Sequence, residues 1–289
     1  MKDINKPLSQ LADEFIRDLK EKSRSPSTIL AYNSDLQQLA EFLSHRKIDR
    51  VGDVESTSLD GFRDHLLSHK YTPKSTSRKL NAVKTFFRWL KDEGYVEEDV
   101  SRDVRHPDIV APEPKFLSPI EYRALRDTAK TEARVSAIIE LILQTGMRIS
   151  EVANLKLGDI TRDLVTVEAY ATQPERQIPL NNPAREAIER YLRERRDTES
   201  PHLFISKTGK PLAVRNIRAS IDKYLRRANL SEYSVNDLRN TFIVESVKRG
   251  VDLVTVSQAV GHRRLSTTER YMTIAGVTEP GKKQYLEEL

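Results

Sequence analysis

Two arginines, a histidine and a tyrosine stand in three short motifs spread over the second half of this 289-residue chain. The first motif is Thr145-Gly146-Met147-Arg148-Ile149-Ser150-Glu151 and the second is Asn236-Asp237-Leu238-Arg239-Asn240-Thr241-Phe242. The third is Gly261-His262, followed nine residues on by Tyr271. Arginine offers phosphate oxygens a planar, permanently charged fork. Two such forks would stabilise a trigonal-bipyramidal phosphorane, whose charge exists mainly in the transition state. A tyrosine, with an ordinary pKa of about 10, needs help to act as a nucleophile near neutrality. Nearby arginines favour its phenolate, and a histidine can hydrogen-bond the reacting phosphate. The set suits attack by a phenolate on a phosphodiester, chemistry that requires neither metal nor nucleotide.

Local spacing supports this set. Arg148 and Glu151 are three apart in an expected helix and share a face, and Arg148 follows a glycine, where a helix N-terminus and its free N–H groups can gather around an anion. Asn236 and Arg239 are likewise three apart. Taken singly, each residue reads as structure: a surface ion pair, an arginine capping carbonyls, a half-buried core tyrosine. The ensemble changes that reading.

The elements that must position these residues fall into two parts. Pro107, Pro112, Pro114 and Pro119 concentrate four of the 13 prolines near 106–119, and proline fixes φ and donates no hydrogen bond, so residues 106–117 are expected to be an extended linker. Ser118-Pro119-Ile120-Glu121 is a capping box with proline at the first helical position and starts a new helix. Before the linker, residues 1–105 read as a helical domain. Ile29, Tyr32, Leu36, Leu39 and Leu43 form one apolar stripe, and a helix after Thr72-Pro73 buries Leu80, Val83, Phe87 and Leu90. The other face of that helix is expected to carry Lys74, Ser75, Thr76, Arg78, Lys79, Asn81, Lys84 and Arg88, hydroxyls and cations that can meet a DNA groove or, equally, water. After the linker, residues 118–289 are mixed: an apolar helix over 135–143, a small hairpin over 163–180 with Val165 and Val167 alternating with polar residues, then helices around 183–196, 214–228, 236–249 and 252–260. The fold class is therefore mainly α with a small β-sheet.

Composition narrows the classes. Lys+Arg 48 against Asp+Glu 43 gives a net charge of +5, which permits a polyanionic partner without demanding one. The chain has no cysteine, which excludes disulfides, thiol catalysis and cysteine-ligated metal. It has no apolar run long enough to span a membrane and no apolar leader at its polar start, so a cytoplasmic location is expected.

The first motif as it continues to Val152-Ala153-Asn154-Leu155, the second motif, and Gly261-His262 through Ser266-Thr267-Thr268-Glu269-Arg270-Tyr271 closely resemble the tyrosine recombinases, which include phage integrases and Xer-type enzymes. The resemblance spans nearly the whole chain and implies an N-terminal helical core-binding domain followed by an α+β catalytic domain. It further implies that Arg148 and Arg239 bind the scissile phosphate, Glu151 supports the first of them, His262 is the later histidine and Tyr271 the nucleophile. The reaction so implied leaves a 3′-phosphotyrosyl link and a free 5′-hydroxyl, then reverses with the partner strand, without a cofactor. Implied partners are double-stranded DNA and three further copies of the chain, the tail after Tyr271 exchanging between protomers of a tetramer on two paired sites.

Two positions depart from the family pattern. Asn236 stands where a histidine is usual, and an amide does not exchange protons near neutrality, although it still hydrogen-bonds. Ala171 occupies the place of the hairpin lysine, just before the matching Glu175-Arg176 and Pro179-Leu180. No lysine lies between Lys156 and Lys207, so Lys207, Lys210 and Arg176 are the candidate substitutes, with Arg176 a poor proton donor. Slow cleavage, or a donor supplied from elsewhere, is expected. Two other readings stay open: a DNA-binding relative that keeps the clamp without turnover, and a topoisomerase acting on one duplex. Compact length tilts the biological task toward a core-site resolvase of replicon or transposon cointegrate dimers.

Overall fold

The computed structural model describes residues 6–110, 112–169 and 173–289. The chain divides into two compact units between residues 111 and 112, inside the proline-bearing stretch. Leu117 is fully buried in the second unit, and its N–H donates to Thr241 Oγ1 at 2.8 Å, so the last residues expected as linker are part of that unit's core.

Among the described residues the first unit holds four α-helices, α1 (Leu8–Glu21), α2 (Pro26–Ser44), α3 (Ser56–Ser68) and α4 (Pro73–Asp92). The stripe read on α2 turns inward, with Leu36, Leu39 and Leu43 buried and Ile29 and Tyr32 packed partly against the same core. Phe15 of α1 meets Phe86 and Trp89 of α4, both with ring centroids 5.5 Å apart. Thr72 caps α4 by accepting from the Ser75 N–H, ahead of Pro73 at the first turn.

One sequence expectation fails here. Thr76 and Lys79 do not share the exposed face of α4; both are buried. They lie a turn before Leu80 and Val83, on the same helical arc. Lys79 Nζ donates to Asp35 Oδ1 at 2.9 Å, and Arg78 grips both oxygens of the same buried carboxylate. This Asp35 cluster fastens α4 to α2. Lys74, Arg78, Asn81 and Arg88 remain exposed, with Ser75 and Lys84 half-buried.

The second unit is organised around α6 (Ala133–Thr145), buried along nearly its whole length. α5 (Pro119–Ala129) precedes it with the expected capping box intact. α6 stops at Gly146, in the left-handed region at φ +63°, where a Cβ would stand 2.5 Å from Phe242 Cδ1. Only glycine allows the chain to turn there so close to the helix behind it. The short α7 (Ile149–Asn154) follows, then an antiparallel pair, β1 (Leu164–Val167) and β2 (Arg176–Pro179), with Val165 opposite Ile178, both buried. The expected hairpin is present in the two strands, and residues 170–172 between them, including Ala171, lie outside the described residues. α8 (Asn182–Glu194), α9 (Val214–Arg227), α10 (Val235–Lys248), α11 (Leu253–Val260) and α12 (Leu265–Ala275) complete the unit.

The segment after α12 seats on its own unit. Lys283 pairs with the chain at Val251, and the Leu289 N–H donates to Gln144 Oε1 at 3.0 Å, while Leu286 and Leu289 pack against the core. No helix among the described residues is long and apolar enough to cross a membrane.

Candidate active site

The three motifs meet where α6 and α11 end. A helix leaves its last carbonyls without intrahelical partners and carries partial negative charge there. Gly261, left-handed at φ +66°, closes α11 and turns these carbonyls toward the arginines. Val260 O accepts from Arg148 Nη1 at 3.2 Å and from Arg239 Nη2 at 2.7 Å. Gly261 O accepts from Arg148 Nη2 at 2.7 Å, and Ala259 O from Arg176 Nε at 2.8 Å. The other amino group of Arg239 donates to Gly146 O, at the end of α6. Two helix ends therefore hold three guanidiniums side by side. A guanidinium has five N–H donors, and these backbone bonds occupy two on Arg239, leaving donors over for an anion.

Glu151 is the carboxylate among these cations. It accepts from the Arg148 N–H at 2.8 Å, from Arg148 Nη1 at 3.0 Å and from Arg176 Nη2 at 2.7 Å. Burial pushes its pKa up, but the Arg176 hydrogen bond and charge and the Arg148 contacts outweigh that and hold it below the usual carboxylate range. Gln173 completes the ring, accepting from Arg148 Nη1 at 3.0 Å and donating to Gly261 O at 3.2 Å. Arg239 is strongly desolvated: burial, then repulsion from Arg148, lowers its pKa to about 9, so it remains charged at neutral pH.

His262 and Tyr271 face each other with ring centroids 6.3 Å apart, nearly parallel. His262 Nδ1 is hydrogen-bonded to the hydroxyl of buried Thr268 at 2.8 Å. Burial and the charges of Arg239, Arg148 and Arg176 depress the imidazole pKa to about 4, so it is neutral near pH 7. Tyr271 Oη donates to Asn240 Oδ1 at 2.8 Å. The arginines do favour the phenolate, as expected, but they do not prevail. Burial pushes the phenol pKa above its ordinary value, more than Arg239 and Arg270 pull it down.

Of the residues singled out in the sequence, Arg148, Glu151, Arg239, His262 and Tyr271 come together. Asn236 does not join their hydrogen-bond network: it is exposed, one turn before Arg239 on α10, without a side-chain partner among the described residues. Lys207 and Lys210 are ruled out as neighbours of the site. Their turn is tied to the start of α6 through Arg134 Nη1 and Ile205 O, 3.0 Å apart, whereas the site lies past the other end of that helix, about 18 Å away at 1.5 Å per residue. Arg176 is also unsuited to proton donation, because Glu151 and Ala259 O already hold it as structure. Sequence reasoning missed Gln173, Asn240 and Thr268. For Asn240 the signal was its place in the second motif, directly after Arg239.

Known proteins resemble the chain in sequence and in fold. The Phage integrase family model matches residues 115–276, and that of the phage integrase N-terminal SAM-like domain matches 12–94. The chain is 31% identical over 273 residues to Tyrosine recombinase XerC of Oceanobacillus iheyensis, covering 90% of each sequence. It is 30% identical over 283 residues to Tyrosine recombinase XerC of Roseiflexus sp. (strain RS-1), covering 92% of this chain and 90% of the relative. Among solved structures, a lambda integrase tetramer bound to a Holliday junction superposes with a TM-score of 0.77 at 15% identity, over 97% of this chain and 81% of that one. The Tn1549 transposon integrase in complex with transposon right end DNA gives 0.76 at 16% identity, over 92% and 94%. At such identities these two speak to the fold: mostly helical, with a small two-stranded sheet. The sequence matches carry the rest, and by them the chain belongs to the phage integrase family, as a DNA recombinase of its tyrosine class.

Proposed function

We propose that this recombinase cuts and rejoins double-stranded DNA at a specific site through a 3′-phosphotyrosyl intermediate formed by Tyr271. The observation that carries the reading is the shared carbonyl. Arg148 and Arg239 both donate to Val260 O, which brings two guanidiniums from separate motifs into contact with one atom. Adjacent cations repel, and an acceptor that satisfies them together is an oxyanion with several free oxygens, such as a scissile phosphodiester whose single charge grows towards two as the phosphorane forms.

In the proposed reaction the Tyr271 oxygen attacks phosphorus and loses its proton. The bond from phosphorus to the 5′-oxygen breaks, and that oxygen gains a proton. Arg148 and Arg239 neutralise the phosphorane, and His262, neutral at pH 7, hydrogen-bonds a phosphate oxygen through its Nε2, since Nδ1 is engaged by Thr268. Asn236 serves as an auxiliary hydrogen-bond donor to the DNA. No lysine Nζ bonds to any of these residues among the described residues, so protonation of the leaving oxygen is the slow step of this reading. Lys74, Ser75, Arg78 and Lys84 of the first unit contribute DNA contacts, and binding weakens steeply with salt as counterions return to the phosphates. The working assembly is a tetramer on two paired sites, in which the tail leaves its own seat for a neighbour's. The task proposed is resolution of replicon or cointegrate dimers in the cytoplasm.

The test is covalent capture on nicked DNA fragments taken from beside the protein's own gene, with wild type and Tyr271→Phe resolved on a denaturing gel. A 3′-linked adduct with wild type alone is expected. Specific binding without any adduct overturns the cleavage mechanism and leaves a DNA-binding relative.

A further inference from the structure

The geometry points to Asn240 as a positioning residue for the nucleophile: its amide oxygen holds the Tyr271 hydroxyl in place and keeps it protonated until DNA is bound. This rests on the reading of Tyr271 as nucleophile given above. The amide can face Tyr271 in only one sense. Its Nδ2 donates to Lys115 O at 2.9 Å and to Asp237 Oδ1 at 3.2 Å, which uses both N–H groups on fixed acceptors. Oδ1 is left toward α12, 2.8 Å from Tyr271 Oη, so the phenol must be the donor.

Such a contact does two things. It fixes the reacting oxygen relative to α10, the helix that carries Arg239, so nucleophile and phosphate-binding group share one scaffold. It also favours the neutral phenol, because ionisation would leave phenolate lone pairs facing an amide oxygen that cannot take up a proton. The other charged or titratable groups facing the phenol come from three places. Arg239 and Asp237 belong to α10, Arg270 to its own helix and His262 to the turn before it. α11, packed against α12, carries no titratable side chain. Asn240 is thus the only direct hydrogen-bond partner of the hydroxyl among the described residues, and an uncharged one.

Two substitutions with opposite effects test this. Asn240→Leu removes the acceptor at similar volume, and Asn240→Asp replaces it with a charged one. The phenol midpoint is read directly by NMR titration of full-length, DNA-free protein carrying 13Cζ-labelled tyrosine. The signal is assigned by its loss in Tyr271→Phe. A hydrogen bond of this kind corresponds to about one pH unit. The midpoint should fall by about that much in Asn240→Leu and rise in Asn240→Asp, and the alkaline limb of cleavage on a nicked substrate should move in the same two directions. Midpoints unchanged in both variants, with cleavage merely slower, would reduce Asn240 to packing and overturn the proposal. Shifted midpoints in a protein whose wild type makes no adduct would uphold the contact and sink the recombination chemistry instead.

Discussion

Glu151→Gln tests the electrostatic logic of the site without touching a group that would meet DNA. The substitution keeps shape and removes one charge. Glu151 accepts three hydrogen bonds, two of them from guanidiniums at 2.7 and 3.0 Å. A glutamine oxygen can keep some of these, but its NH₂ then confronts a guanidinium with donor against donor. Removing one partner of a buried ion pair typically costs about 3–5 kcal/mol. The Arg176 side of the pair is buried at 11% exposure, whereas Arg148 is 31% exposed and partly screened by solvent. The expected loss is therefore about 2–4 kcal/mol, or about 5–12 °C in the melting of a unit this size. Calorimetry should show that fall in the catalytic unit. The chain's one tryptophan, Trp89, lies in the first unit, so its fluorescence melt should not move. An anion that occupies the arginines should restore more stability to the variant than to wild type, since the variant has the larger unneutralised charge. Inorganic phosphate is the probe. The sign with pH is also fixed. A carboxylate held below its ordinary range contributes stability above about pH 4.5, and that contribution is lost as the pH falls through the depressed value, so the gap between the two proteins should close in acid. Melting within 1 °C of wild type at about pH 7, with and without phosphate, would refute the account of Glu151 as the charge that lets three arginines share one site.

Three further outcomes follow from the same arrangement. With its pKa near 4 against an ordinary value of about 6.5, His262 takes up a proton in the unfolded chain first as pH falls. The catalytic unit should therefore lose up to about 3 kcal/mol between pH 6.5 and 4, and calorimetry of His262→Asn should show a shallower decline; matching slopes would mean the imidazole is not held neutral by its neighbours. Arg239→Ala should destabilise by about 1–3 kcal/mol, because it orphans Gly146 O while Val260 O keeps its bond from Arg148; Asn236→Ala, on an exposed side chain, should stay within about 0.5 kcal/mol in the same melt.

What the sequence made legible was whatever depends on near neighbours. The Ser118–Glu121 capping box, the apolar helix over 135–143 and the alternation of Val165 and Val167 are each written within a few residues, and each is found. The placing of Thr76 and Lys79 is legible in the period of α4 and hidden by their polarity. Leu80, Val83, Phe87 and Leu90 mark the inward arc of the helix, and 76 and 79 continue that arc by one turn; where polarity and period disagree, period wins. What makes a buried lysine tolerable there is Asp35, 44 residues earlier in the chain, and no local pattern announces that pairing. Arg176 was read in the sequence only as a poor proton donor, and its structural role was hidden for a similar reason, since one of its partners is the carbonyl of Ala259, a backbone atom with no signature in residue type. The raised pKa of Tyr271 depends on burial, which three motifs on separate helices reveal only once they are packed together.

The distribution of these contacts bears on how the chain keeps the arginines proposed to bind phosphate while carrying Asn236 and Ala171 where the family resemblance leads one to expect a histidine and a lysine. Arg148, Arg176 and Arg239 satisfy the open ends of two helices: replacing Arg239 would orphan Gly146 O and replacing Arg176 would orphan Ala259 O, while the carbonyls that accept from Arg148 keep bonds from Arg239 and Gln173. Selection on folding alone would then preserve Arg176 and Arg239 for those carbonyls and Arg148 for its ion pair with Glu151. Asn236 satisfies nothing in the protein: it is exposed and unpartnered among the described residues. Its identity is free of the fold and answers only to chemistry. Intact arginines are therefore weak evidence for turnover by themselves, because a chain that merely folds and holds DNA would keep them. The stronger evidence is Tyr271, whose hydroxyl does nothing for the core that Phe would not do, apart from its single bond to Asn240. A phenol kept half-buried beside a neutral imidazole and next to paired guanidiniums is accounted for by its oxygen, and covalent capture is the experiment that reads that oxygen directly.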